Sequence, residues 1–120
     1  MKEEALTHEL IGSAMEVLNA LKPGLDEKLY ERALVLESGR RNLRCDAQRQ
    51  YPVFDAGQNI GTLIPDLIVE DRLVVDAKVV STFNDTHIAQ MMGYLAITGL
   101  PVGLLLNFKN AKLEWKRNVK

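Results

Sequence analysis

"PDLIVEDRLVVDAKVV", residues 65–80, decides how this chain reads. Two apolar runs flank a charged triplet, Glu70-Asp71-Arg72. Short apolar runs bounded by turn residues read as buried strands, and two in succession read as a hairpin. Yet Asp66 sits near the start of the first run, and Asp76 and Lys78 interrupt the second. Burying a charge costs several kcal/mol unless it is paired or held on a metal.

Alternate residues of a strand share a face. Asp76 and Lys78 therefore point the same way as Val74 and Val80, while Leu73, Val75, Ala77 and Val79 point to the other side. With Glu70, Asp71 and Arg72 as the loop, Val69 faces Leu73 and Asp66 faces Asp76, so all three charged groups meet on one face. A two-residue loop would turn Asp66 to the opposite face unless a bulge restored the register. Two carboxylates facing each other across a hairpin are hard oxygen donors suited to Mg²⁺ or Mn²⁺. The cation would offset their desolvation and mutual repulsion. A lysine two residues on can orient a water or stabilise charge on a phosphate oxygen. The plain alternative is an ion pair between Lys78 and a neighbouring acid, and the spacing D-x9-D-x-K alone does not choose between the two.

The rest of the chain sets the frame. At 120 residues with 47% apolar content, a single domain over 1–120 is expected. A lone cysteine, Cys45, and the absence of a signal-like start point to a reducing cytoplasm, with Cys45 an ordinary strand residue. From Thr86 to Phe108 there is no Asp, Glu, Lys or Arg. His87, Gln90 and Asn107 are polar, however, and "TGLPVG" at 98–103 breaks any helix midway, so the stretch reads as a helix, a turn and a buried strand with no membrane partner. Charge is uneven: residues 1–38 and 51–108 each carry −4, residues 39–50 carry +3 and residues 109–120 carry +4. Basic patches can hold phosphates; a solvated loop and a frayed tail have the same composition.

Helical spacing over 4–20 (Leu6, Leu10, Ala14, Val17, Leu18, Leu21) predicts a first helix, stopped by "KPG" at 22–24. A second starts near Asp26, with Leu29, Ala33 and Leu36 as its apolar stripe and Gly39 as its close. Strands are predicted over 43–55, 60–69 and 73–80, then a helix over 86–98 capped by Asn84 or Asp85, then strands at 102–108 and 112–117. The order is α-α-β-β-β-α-β-β. On the second helix, Glu27 and Tyr30 are three apart and share a face; an acid in a first turn also suits the helix dipole without further purpose. On the later helix, His87, Gln90 and Tyr94 share a face, beside a core-facing arc of Ile88, Met91, Met92 and Leu95. His8 reads as a surface residue.

These residues carry a resemblance. Gly24, Glu27 and Tyr30 match the pattern of the GxxExxY family, which belongs to the PD-(D/E)xK nuclease superfamily. The superfamily motif here reads Pro65-Asp66, then Asp76-Ala77-Lys78, and "QMMGY" at 90–94 is similar to the QxxxY element of RecB-like nucleases. The likeness runs over roughly residues 5 to 117. One departure is Asp76, where relatives often carry Glu; the shorter side chain draws the carboxylate inward without removing a ligand. The resemblance implies an α/β, restriction-endonuclease-like core, a mixed central sheet flanked by helices. It implies that Asp66, Asp76 and the Ala77 carbonyl hold Mg²⁺ (or Mn²⁺), with Glu27 completing the site directly or through water. Lys78 would position the attacking water, Gln90 and Tyr94 would brace the site or contact the DNA backbone, and Tyr30 and His87 would support it. A chain this small has little surface for a duplex, which a homodimer would supply. A nuclease fold used only for partner binding or assembly is the competing class, although none of Glu27, Asp66, Asp76 and Lys78 has been lost.

Overall fold

The structure, a computed structural model, describes residues 2–120. Two helices come first, α1 (Glu4–Leu21) and α2 (Glu27–Arg40). In α1 the predicted stripe is the buried face, with Leu10, Ala14, Val17 and Leu18 inside and only Leu21 left exposed. In α2 it is not. Leu29 and Leu36 are exposed, and the helix instead buries Tyr30, Glu31, Leu34 and Ser38. Tyr30 decides the rotation. Its ring stacks on Phe108 with centroids 4.7 Å apart and planes 8° from parallel. Its hydroxyl donates to the Lys22 carbonyl at 2.6 Å and accepts from the Leu25 N–H at 3.2 Å. A helix turned to bury this ring presents Leu29 and Leu36 to solvent. Gly39, the expected close, lies inside the last turn, and the left-handed residue that follows the helix is Asn42, at φ 61°.

The strands form two sheets. Five of them, β1 (Cys45–Asp46), β4 (Leu67–Val69), β5 (Leu73–Lys78), β6 (Val102–Asn107) and β7 (Glu114–Val119), pair in the order β1-β4-β5-β6-β7. The hairpin β2 (Tyr51–Asp55) and β3 (Gln58–Leu63) stands apart. β5 and β6 run parallel, joined by α3 (Asp85–Thr98), and the other pairs are antiparallel. The predicted order of elements holds, with two predicted strands each divided. The segment 43–55 splits because its first residues pair with β4 and its last with β3. The segment 60–69 splits at Pro65, which has no N–H to continue a ladder.

The β4–β5 hairpin has the expected register. Glu70 and Asp71 take left-handed φ of 53° and 58°, and the Arg72 N–H closes the turn on the Val69 carbonyl at 3.0 Å. Val69 pairs Leu73, Ile68 pairs Val74 and Leu67 pairs Val75. Helices cover both sides. Leu67, Val69, Leu73, Val75 and Ala77 join α1 and α2 in one core, while Ile68, Val74 and Leu105 join Met91 and Leu95 of α3 in the other. Met92, expected in the same inward arc, is exposed. The helix α3 lies close to the sheet because β6 offers Gly103, where a Cβ would fall 2.2 Å from the Met91 sulfur. Asn84 caps α3 reciprocally: its side chain accepts from the His87 N–H at 3.0 Å, and His87 Nδ1 accepts from the Asn84 N–H at 3.2 Å. Among the described residues no helix is long and apolar enough to cross a membrane.

Candidate active site

β5 carries its charges to the end of the α3 side of the sheet. Asp76 follows Val74 on that side and is only 4% exposed. Extending the β4–β5 register one step places Asp66 across from it. The two carboxyls lie within hydrogen-bonding reach, and the Asp76 carboxyl is pushed up to about 8. Burial is the first cause, then the hydrogen bond with Asp66 and its charge; Lys78 works against the shift. A second carboxylate beside a buried one disfavours its charged form. Lys78 Nζ lies 3.2 Å from Asp76 Oδ2 and donates to Gln90 Oε1 at 3.3 Å. Gln90 thus reaches from α3 to the strand. Tyr94, one turn further, is half-buried, and its phenol is pushed up by burial and then by the charges of Asp76 and Asp66. The structure brings Asp66, Asp76, Lys78, Gln90 and Tyr94 into one neighbourhood.

The backbone just beyond Lys78 is clamped from two directions. Glu27, the first residue of α2, is exposed, and its Oε1 accepts from the Val79 N–H at 3.1 Å. Gly24, three residues earlier, has φ +115°, a conformation open to glycine and strained for other residues. That glycine lets the chain bend from α1 into the start of α2. Opposite, buried Asn107 uses its whole amide. Its Oδ1 accepts from the N–H groups of Val80 (3.2 Å) and Lys109 (3.1 Å), and its Nδ2 donates to the Val80 carbonyl (2.8 Å) and Glu114 Oε1 (3.3 Å). The Phe108 N–H adds a bond to the Lys78 carbonyl at 2.9 Å.

Two expected residues stand elsewhere. Tyr30 is fully buried beneath the turn that leads into α2, so it braces the Glu27 end of the helix and is closed to substrate. His87 is spent on the α3 cap and meets Phe83 edge-on, 6.4 Å between centroids. Two others were missed. Glu31 is buried and paired with Lys28 at 3.5 Å, and its carboxyl is raised by burial and then by Asp66. Its spacing from Glu27, four residues on one helix face, was the available signal. Asn107 showed itself in the sequence only as a polar break in an apolar run.

The donor set suits a hard cation without being a finished cage. Among the described residues no three His, Cys, Asp or Glu side chains cluster as metal ligands. The nucleus is the Asp66–Asp76 pair, with Ala77 between Asp76 and Lys78. The β4–β5 ladder ends at Leu67–Val75, so Asp76 and Ala77 extend past it. A divalent ion there would offset the burial and the neighbouring Asp66 charge that raise the Asp76 carboxyl.

The two basic segments differ. Every arginine of 39–50 is answered by an acid: Arg40 and Arg41 by Glu37, Arg41 also by Glu9, Arg44 and Arg49 by Asp46, and Arg49 by Asp71 at 2.6 Å. As an expected phosphate patch this segment is largely neutralised. Arg49 also lies over the Tyr51 ring, 5.7 Å from its centroid.

Residues 4–118 match the model of a family described as the PD-(D/E)XK nuclease superfamily. Among solved structures, the crystal structure of SSO0001 is similar with a TM-score of 0.57 at 15% identity, over 98% of this chain and 60% of that one. At that identity the likeness speaks for the fold, a restriction-endonuclease-like mixed sheet between helices. This chain spans about 60% of that protein's length. The search among curated proteins found no match.

Proposed function

The chain belongs to the PD-(D/E)XK nuclease superfamily, and from that premise we propose that it is a divalent-metal-dependent nuclease hydrolysing phosphodiester bonds of DNA. The observation that carries this reading is the convergence of Asp66, Asp76, Lys78 and Gln90 at one end of β5. Asp66, Asp76 and the Ala77 carbonyl would hold Mg²⁺ or Mn²⁺, with Glu27 completing the set directly or through water. Bound there, the ion supplies Lewis-acid activation of water and neutralises charge on the phosphate. The rest falls to the protein's own groups. Lys78, aimed by Asp76 and Gln90, holds the attacking water or a phosphate oxygen through its ammonium hydrogens. Gln90 keeps that ammonium from collapsing fully onto Asp76. Tyr94 offers a hydroxyl beside the acids. Glu27 uses Oε1 on Val79, which keeps its carboxyl at the end of the strand next to Lys78.

A homodimer would enlarge the surface open to a duplex, and light scattering during purification tests for it. A reducing cytoplasm suits the free Cys45, whose thiol burial pushes up to about 11, far from the reactive range.

The test is a cleavage assay with linear, circular and single-stranded DNA in Mg²⁺ or Mn²⁺, run beside Asp66→Ala and Lys78→Ala. Cleavage by the wild type and by neither variant is the expected result. No cleavage by the wild type in either ion, with no thermal shift on adding metal, would replace the reading with a silent nuclease-fold module for partner binding or assembly.

A further inference from the structure

We propose that nucleic acid approaches the site over the β6–β7 end of the sheet, its phosphates held by Lys109, Lys112 and Lys116, and not over the arginine-rich segment 39–50. This rests on the reading of the site as phosphodiester chemistry and adds where the substrate lies. Topology supplies the first argument. β5 and β6 are parallel neighbours, so their C-terminal ends lie side by side, with Lys78 opposite Asn107. The chain leaves β6 there, carries Lys109 and Lys112 through the connecting loop, and returns as β7 with Glu114 opposite Asn107. Lys109 begins next to the site: its N–H bonds Asn107 Oδ1, while the N–H of Phe108 just before it bonds the Lys78 carbonyl. Lys116 pairs with Leu105, whose side chain lies in the α3 core. Alternation therefore puts Lys116 on the same side of the sheet as Asp76 and Lys78.

Charge supplies the second argument. All three lysines are exposed, and none forms an ion pair among the described residues. Glu114, the one acid of residues 109–120, is drawn onto the Asn107 amide. The arginines of 39–50 hold their own acids, and they flank β1, at the opposite edge of the sheet from β7. A phosphate meeting them must compete with a carboxylate; at Lys109, Lys112 and Lys116 it meets ammonium groups that no carboxylate holds among the described residues. Phosphate backbone contacts of this kind dominate affinity for nucleic acids and release counterions, so they leave a salt signature.

The experiment is fluorescence anisotropy in EDTA, where hydrolysis is silent, with a short labelled DNA duplex, the matching single strand and an RNA duplex as probes. The variants are Lys109→Ala/Lys112→Ala/Lys116→Ala and, as control, Arg40→Ala/Arg44→Ala, each checked by thermal melting. The lysine variant is expected to weaken binding about tenfold or more and to lower the slope of log K against log salt by about 2 to 3, roughly 0.9 per lost phosphate contact. The arginine variant changes affinity less than about twofold. Equal losses in the two variants, an unchanged slope in the lysine variant, or no binding of any probe by the wild type overturns the proposal. The hydrolytic reading fails separately. Lysine-dependent binding without cleavage in metal leaves this track standing, and cleavage with an unaltered lysine variant removes the track alone. The single-stranded and RNA probes tell which polymer the track prefers.

Discussion

The two sides of β5 are made by the same six residues and end in opposite conditions. On one side Leu73, Val75 and Ala77 vanish under α1 and α2 in a continuous apolar core. On the other, Val74 is covered by Met91 and Leu95 of α3, but Asp76 and Lys78 meet the polar edge of that helix, Gln90 and Tyr94. The strand itself does not decide this. α3 returns over the sheet with its apolar arc over the middle of β5 and its polar edge over the end. A buried charge is tolerated where partners stand ready, and here the partners come from three elements. Asp66 comes from the approach to β4, Gln90 from α3, and Glu27 from α2 to fix the backbone beside them.

Replacing Asp76 by Asn should give the largest effect and should push the polar side in two directions. Cleavage is expected to fall at least about a thousandfold, about 4 kcal/mol of barrier, because the variant loses a charged oxygen donor. Folding without metal should respond differently. The Asp76 carboxyl, raised to about 8 in the folded state, keeps a proton that the unfolded chain has already released. The folded state then binds more protons at this group than the unfolded one, so the contribution of Asp76 to stability is full below the unfolded value and is lost as pH rises through about 8. Asp76→Asn removes that decline. Urea midpoints in EDTA at a mildly acidic and a mildly alkaline pH measure it. A wild type as stable at the alkaline pH as at the acidic one would show that burial and Asp66 do not strain this carboxyl, and the contrast between the two sides would narrow.

The apolar side should break without touching chemistry. Leu34, fully buried between α2 and the sheet, loses about 2–5 kcal/mol on replacement by Ala, the usual range for a core cavity. Cleavage per folded molecule, measured well below the lowered midpoint, should stay within about twofold of wild type, a barrier change under about 0.5 kcal/mol, since Leu34 packs in the core on the side of β5 away from Asp76 and Lys78. If the variant stays folded yet loses cleavage, the two sides are mechanically coupled through α2, whose first residue is Glu27.

Much of the polar side was legible because it is local. Hairpin register follows from three loop residues, and strand alternation does the rest, so Asp66, Asp76 and Lys78 could be placed together from spacing alone. Helix spacing, equally local, put Gln90 and Tyr94 on one face, and the likeness of "QMMGY" to the QxxxY element is what turned that face toward the acids. Asn107 and Glu31 were not, because each owes its importance to an element distant in sequence: Asn107 to Val80 across the parallel pair, Glu31 to Asp66 across the helix–sheet boundary. The split at Pro65 was written in the sequence and was passed over, since a run of Ile and Leu on either side outweighed one missing N–H. The arginine segment looked basic because its acids, Glu9, Glu37 and Asp71, lie elsewhere in the chain.

The smallest expected effect addresses the one helix face that spacing misplaced. Leu29, Ala33 and Leu36 form as regular a stripe as any in the chain, and a core built on them would make Leu36→Ala cost as much as Leu34→Ala. In the structure Leu36 is 62% exposed. Truncating an exposed side chain returns little area to water, and alanine is the better helix former, so the two contributions nearly cancel. Leu36→Ala is expected within about 0.5 kcal/mol of wild type in urea unfolding. Tyr30 is the reason: its ring on Phe108 and its hydroxyl on Lys22 outweigh what two leucines would gain by turning in. A loss above about 2 kcal/mol in Leu36→Ala would mean that α2 is rotated in solution. Glu27 would then leave Val79, and the clamp behind Lys78 would open on that side.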